Sequence, residues 1–221
     1  MKKVLFTAVA VIAFSFANAQ DGSGSSTGVK FGAKAGLNMS NFGGDFEDTK
    51  AIFGFHAGAF AEIKISDKFS FQPELLYSTQ GAKFDSSVTD LSGAFPTVEK
   101  ENGEINLGYI NIPLMAKYYA TEKLFIEAGP QVGFLVSAIE DYNYSYTVNG
   151  VLVDSEVLDR EDVKDNYETI DYGMNLGLGY YFTENISAGV RYNFGLSNIL
   201  KDSGDFKSNN GVFQLSIGYK F

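Results

Sequence analysis

The sequence predicts an all-β fold: an eight-stranded antiparallel up-and-down transmembrane β-barrel. Three observations predict it. First, the last ten residues alternate strictly, with Phe213, Leu215, Ile217, Tyr219 and Phe221 apolar and Gln214, Ser216, Gly218 and Lys220 polar or tiny between them. Successive side chains of a strand point to opposite faces, so this stretch has one oily face and one wet face. Second, the same alternation recurs along the chain to a total of eight segments. Third, the connections between those segments run long, short, long, short, long, short, long. An even strand number, short turns at one end and long loops at the other is the arrangement of barrels that sit in an outer membrane.

The elements follow in chain order. Lys2 and Lys3, an apolar stretch over 4–16 and the small-x-small site Ala17-Asn18-Ala19 mark residues 1–19 as a signal peptide. No other segment approaches the roughly 18 apolar residues a membrane-crossing helix needs, which excludes helical spans. Residues 20–28 form a Gly/Ser-rich leader, expected to be flexible. The barrel domain is then 29–221.

Strand one, over 29–39, sets Val29, Phe31, Ala33, Ala35, Leu37 and Met39 against Lys30, Gly32, Lys34, Gly36 and Asn38. A polar loop over 40–50 carries Asp45, Glu47 and Asp48. Strand two, over 52–65, alternates Phe53, Phe55, Ala57, Ala59, Ala61 and Ile63 with Gly54, His56, Gly58, Phe60, Glu62 and Lys64. A tight turn at Ser66-Asp67-Lys68 leads to strand three, over 69–81, with Phe69, Phe71, Leu75 and Tyr77 opposite Gln72, Glu74, Ser78 and Gln80. A long loop is expected over 82–104. Strand four, over 105–119, puts Ile110, Ile112, Leu114, Ala116 and Tyr118 on the oily side and Asn111, Met115 and Lys117 on the other. Its first part, with Ile105, Leu107 and Tyr109, has the opposite parity, and a bulge near Gly108 would bring the halves into line.

Thr121-Glu122-Lys123 is the second tight turn. Strand five, over 124–138, sets Leu124, Ile126, Ala128, Val132, Phe134 and Val136 against Glu127, Gly129, Gln131, Gly133 and Ser137. The longest loop, 140–168, is rich in tyrosine and acid. Within it Asn149-Gly150 is flanked by β-forming residues, a hairpin signature, so the loop is expected to project as a β-ribbon. Strand six, over 169–182, the turn Thr183-Glu184-Asn185, strand seven, over 186–196, and a loop over 198–210 complete the path to the final strand.

A soluble barrel would alternate too, with its apolar side inward. The second face argues otherwise, because it combines many glycines with Lys34, Glu74, Lys117, Glu127 and Arg191. Glycines cover a wet exterior poorly but fit a crowded lumen, and eight strands enclose just enough space for side chains to fill. The five charged residues are expected to form a buried lumen network in which each offsets another, since an unpaired buried charge costs several kcal/mol or so. Aromatic residues gather near the strand ends, as at membrane interfaces. Pro73, Pro113 and Pro130 fall inside strands, where bulges would accommodate them.

Several stretches carry a family resemblance: Phe31-Gly32-Ala33-Lys34-Ala35-Gly36-Leu37-Asn38, Gln72-Pro73-Glu74-Leu75-Leu76-Tyr77, Ile112-Pro113-Leu114 and Glu127-Ala128-Gly129-Pro130. In these the chain resembles the outer-membrane β-barrel family common in Bacteroidota, often called porin-family proteins. The end of the chain is similar to the assembly signal of such barrels, with Gln214, Tyr219 and the terminal Phe221; Ser216 stands where glycine is usual. The resemblance implies a place in the cell outer membrane, outer-membrane lipid as surroundings and barrel-assembly machinery as a partner during biogenesis. It implies little about activity, since one fold hosts many functions.

Composition narrows the rest. The formal charge of -10 becomes -12 once Lys2 and Lys3 are removed, a balance that disfavours nucleic acid as a partner. There are no cysteines, so no disulfide or thiol chemistry. His56 is the sole histidine, faces the predicted lumen, and has no serine partner marked by the sequence, so catalysis is not expected. Asp154, Glu156, Asp159, Glu161, Asp162 and Asp165 crowd one loop, but their spacing matches no metal loop, and a solvated acidic surface is the expectation. No cofactor is expected. The sequence therefore points to a small outer-membrane barrel with a structural or surface-interaction role and a plugged lumen, the alternative being a narrow porin-like channel for small solutes.

Overall fold

The structure is a computed structural model that describes residues 28–45 and 49–221. The signal peptide, all of the leader but Gly28, and Glu47 and Asp48 of the first loop lie outside the described residues.

Nine strands are formed among the described residues: β1 (Val29–Gly44), β2 (Lys50–Lys64), β3 (Phe69–Asp90), β4 (Thr97–Tyr119), β5 (Leu124–Val148), β6 (Val151–Asp162), β7 (Ile170–Tyr181), β8 (Ile186–Gly195) and β9 (Ser208–Lys220). Eight of them close an antiparallel ring in the order β4-β3-β2-β1-β9-β8-β7-β5, sealed by pairing of β4 with β5, while β6 hangs from β5 outside the ring. The eight-stranded up-and-down barrel and the projecting ribbon are both as the alternation and Asn149-Gly150 indicate. Asn149 and Gly150 take positive φ, 52° and 79°, as a tight hairpin turn of this kind needs. The first and last ring strands pair from Gly32↔Lys220 to Gly44↔Ser208, so no edge is left in the wall.

The oily face points outward. Phe53 is 81% exposed and Ile217 66%, whereas Gln72 and Asn175 in the lumen are fully buried. The short turns are built by local bonds: the Thr121 and Thr183 hydroxyls accept from the N–H groups of Leu124 and Ile186, each at 2.9 Å.

Four expectations are corrected. The loops over 40–50 and 82–104 are shorter than expected, since β1 runs to Gly44, β3 runs to Asp90 and β4 begins at Thr97, and the ribbon expected within 140–168 is joined by these outer strands. β3 and β4 pair without interruption from Leu76↔Asn111 out to Asp90↔Thr97, and β4 and β5 continue to Thr97↔Val148. A ribbon with both faces wet loses the hydrophobic alternation that reveals a half-buried strand, yet its backbone groups still satisfy one another across the ladder. The loop before β9 is shorter than expected, since the strand begins at Ser208; its added residues escape notice because the face they bury, Ser208 and Asn210, is polar.

The bulge near Gly108 exists, but the extra residue is Val136 of β5: Gly108 pairs with Ser137 and Tyr109 with Leu135. β4 therefore keeps one parity, and Ile105, Leu107 and Tyr109 face inward, all at most 5% exposed. The prolines need no bulge. Register is unchanged across Pro73 (Phe60↔Glu74, Ile63↔Phe71) and across Pro113 (Pro113↔Gln131, Ala116↔Ala128), and Pro130 sits opposite Met174 in an unbroken run.

Candidate functional site

The lumen is filled in layers. At mid-height Arg191 reaches from β8 across to β3, donating to Glu74 Oε2 from Nη1 at 2.9 Å and to Glu74 Oε1 from Nη2 at 2.8 Å. Its Nε donates to Glu127 Oε1 at 2.8 Å. Lys34 and Gln72 also donate to Glu74 Oε1, at 2.7 and 2.6 Å. Bidentate guanidinium–carboxylate pairing of this kind is charge-assisted and fixed in direction. Small residues make room for it. A Cβ on Gly177 would lie 3.0 Å from Glu127 Cγ, and one on Gly36 would lie 2.6 Å from the His56 ring.

Of the five charged lumen residues singled out by the sequence, Lys34, Glu74, Glu127 and Arg191 are thus brought together. Lys117 stands apart. Its ion-pair partner is Glu62, at 3.5 Å, and its ammonium lies 4.1 Å from the centre of the Phe125 ring. Glu62 also takes a hydrogen bond from the Tyr181 hydroxyl at 2.9 Å and one from Lys220 at 3.2 Å. This second cluster, nearer the short turns, was not foreseen: Glu62 and Lys220 lie close to strand ends, where a charge reads as interfacial. A small cavity between the two clusters, bordered by Lys34, Gln72, Lys117, Glu127, Arg191 and Ser216, has a volume of about 20 Å³. That is room for one water molecule.

His56 is held on both sides. Nδ1 lies 2.7 Å from Asn38 Oδ1 and Nε2 lies 2.8 Å from Ser216 Oγ. A serine partner therefore exists, contrary to the sequence reading. It comes from the far end of the chain, because β2 and β9 flank β1. Asn38 in turn donates to Ser78 Oγ at 2.9 Å.

The two ends of the lumen differ. At the long-connection end an apolar lid closes the mouth. Val163, Tyr167 and Ile199, from segments between strands, pack on Phe42, Ala82, Ile105, Leu107, Tyr109, Leu135 and Ala138 of the wall. The lid segments are tied to each other and to the wall by backbone bonds, Glu168 N–H to Ile199 C=O at 2.8 Å, Lys201 N–H to Asn166 C=O at 3.0 Å and Val163 N–H to Ala138 C=O at 3.1 Å. At the short-turn end the lumen opens into a cavity of about 610 Å³, bordered among others by Glu62, Tyr119, Tyr181 and Lys220.

Beyond the lid, the outer parts of β3, β4 and β5 continue with β6 as a four-stranded antiparallel sheet. Its inner face is continuous with the lumen side of the wall. The acidic residues Asp154, Glu156, Asp159, Glu161 and Asp162 lie along exposed β6, and Asp165 in the short 3-10 turn Lys164–Asn166 after it. Among the described residues, no group of three or more acidic or histidine side chains is placed to hold a metal ion.

At the end of the chain Gln214 faces the lumen, buried, while Tyr219 and Phe221 face outward with ring centres 5.5 Å apart. The Phe221 N–H donates to Phe31 C=O at 2.9 Å, tying the last residue to the first strand.

Comparison with known proteins gives one family. The family described as "Outer membrane protein beta-barrel domain" matches residues 18–201. No curated protein matches the chain. Among solved structures, similar chains include Ail, the attachment invasion locus protein of Yersinia pestis, at 13% identity over 87% of this chain and 98% of that one, with a TM-score of 0.43. Neisserial surface protein A is similar at 15% identity over 86% and 97% of the two chains, with a TM-score of 0.44. The outer membrane protein OprG from Pseudomonas aeruginosa is similar at 14% over 87% and 94%, with a TM-score of 0.33.

Proposed function

This chain belongs to the outer membrane protein β-barrel domain family, and from that premise we propose that it is a closed barrel whose work is done by the sheet it holds outside the membrane. The short turns, the start of β1 and the end of β9 then face the periplasm, and the lid and four-stranded sheet face the exterior. One observation carries the reading: the cavity between the two charged clusters holds about 20 Å³, while beyond the lid four strands stand clear of the wall. A barrel that conducts needs the first of these to be larger, and a barrel that only stabilises the membrane has no use for the second.

The same filling speaks against chemistry at Ser216, His56 and Asn38. The hydroxyl has a base in reach, but the space beside it admits one water and no acyl or sugar group. Gln214, Tyr219 and Phe221 are in this reading the terminal signal through which the barrel-assembly machinery takes up the nascent chain.

The experiment is conductance of the purified protein in planar bilayers, beside swelling of liposomes in small sugars. The expected result is no stable conductance and no swelling above protein-free membranes. A steady open level would replace this reading with the narrow-channel one.

A further inference from the structure

The four-stranded sheet has two unlike faces. Residues directly opposite in an antiparallel ladder share a face. The pairs Glu101↔Tyr144 and Tyr144↔Glu156, and Glu99↔Tyr146 and Tyr146↔Asp154, therefore place Glu99, Glu101, Asp154 and Glu156 on the same face as Tyr144 and Tyr146. Tyr142 lies on it too, with Phe84 and Leu158 at its base above the lid. A column of three tyrosines thus runs between two columns of carboxylates. Lys83 and Lys100 alternate onto the opposite face, and Arg160 stands at the irregularity of β6 near Asp141, whose Oδ1 accepts from its backbone N–H at 3.0 Å. On the opposite face Glu104 pairs with Lys83 at 2.8 Å, and Asp85 pairs with Lys50 at 3.3 Å. Among the described residues, no Lys or Arg lies within 4 Å of Glu99, Glu101, Asp154 or Glu156.

We propose that this face holds an extended, Lys/Arg-rich polypeptide segment, its cationic groups over the Tyr142, Tyr144 and Tyr146 rings and between four carboxylates that carry no ion pair, one of which, Glu101, accepts from the Tyr142 hydroxyl at 3.3 Å. This rests on the closed-barrel, surface-interaction reading and names the chemistry of its partner. A cation over an aromatic face is attracted by the ring quadrupole, and flanking carboxylates add to that attraction. Partial desolvation first, then the charge of Glu99 and its hydrogen bond with the hydroxyl, then the charges of Asp154 and Glu101, hold the Tyr144 hydroxyl above its ordinary value. The spacing favours a polypeptide over a small cation: alternate tyrosines stand about 6.8 Å apart, the repeat at which an extended chain presents side chains on one side. The charge of the whole projection agrees, since residues 83–104 and 139–162 carry twelve acidic side chains against Lys83, Lys100 and Arg160.

The test uses the full chain folded in a nonionic detergent, with a fluorescein-labelled ten-residue peptide of alternating Lys and Ser read by anisotropy. Folding of every variant is checked by its mobility before and after boiling. Saturable binding is expected, reduced about five- to tenfold by E101Q/E156Q and about threefold by Tyr144→Ser. D85N/E104Q, which removes the same charge from the opposite face, is expected to leave it within about twofold. An alternating Glu–Ser peptide should not bind. Equal losses from both faces, equal competition by spermine at matched charge, or no binding at all would each overturn the proposal. With the lumen still non-conducting, such a failure sinks this proposal alone; an open pore sinks the reading beneath it.

Discussion

Arg191 and Glu74 meet across the full width of the barrel through two parallel hydrogen bonds, at 2.9 and 2.8 Å. Their strands, β8 and β3, are four steps apart in either direction round the ring. The pair is thus a strut along a diameter, and Glu127 and Lys34 brace it from the sides. Removing one member of such a buried set is costly chiefly because the others are left without compensation.

Arg191→Met is therefore expected to destabilise the folded barrel by about 3–5 kcal/mol, since Glu74 and Glu127 lose their shared cation. Unfolding by guanidinium in detergent micelles measures it. The triple variant E74Q/E127Q/R191M should recover most of the loss, and a triple variant as unstable as the single would show that the cost lies in lost packing.

Gly36 leaves its space to the His56 ring and to the Leu215 carbonyl, both of which a Cβ would meet at under 3 Å. Gly36→Ala is expected to cost about 1–3 kcal/mol by forcing the wall or the ring aside. Gly150→Ala, with positive φ at a turn and no neighbour within 4 Å, should strain only the ribbon tip. Comparing the two by the same unfolding titration, with hydrogen exchange across 142–158 as the second readout, separates wall from ribbon.

Ile199 anchors the lid and is 1% exposed. Ile199→Asp is expected to loosen segments 163–169 and 196–207 and to make them sites of limited proteolysis. Ion flow should stay absent, because the charged clusters below still fill the lumen. Conductance appearing in this variant would move the seal from the clusters to the lid.

Glu140 stands at the foot of the ribbon, and burial holds its carboxyl above the usual glutamate range. The sign follows from proton binding. The folded state holds this proton more tightly than the unfolded state, so stability is lost as pH rises through the ordinary glutamate pKa and is fully lost above the raised one. Glu140→Gln should therefore slow hydrogen exchange at the ribbon base at pH 7 and make no difference at pH 3. A variant that behaves alike at both pH values would refute the assignment.

Much of this was legible in the residues, and what was not has identifiable causes. The recurring alternation gave the strand count, the glycines and charges of the second face gave inside and outside, and the long–short order of the connections gave the outer-membrane arrangement. Ile105, Leu107 and Tyr109 were ambiguous because an apolar side chain is equally at home against lipid and against a lid, and the lid comes from segments without periodicity. The outer halves of β3 to β5 were hidden because strands wet on both faces show no alternation. Lys34, Glu74, Glu127 and Arg191 share a face by parity alone, but which carboxylate Lys117 meets depends on its height in the barrel, and that is set by register. Ser216 became a partner for His56 only once β9 was known to close against β1.

The cavity at the short turns and the apolar lid at the other end together make the molecule a thimble rather than a tube. In the proposed orientation the pit opens to the periplasm and its floor is Glu62 and Lys220. In that orientation a membrane-impermeant amine reagent should find Lys220 from the periplasmic side and miss it from the outer one, so that the barrel offers the exterior a surface and the periplasm a pit.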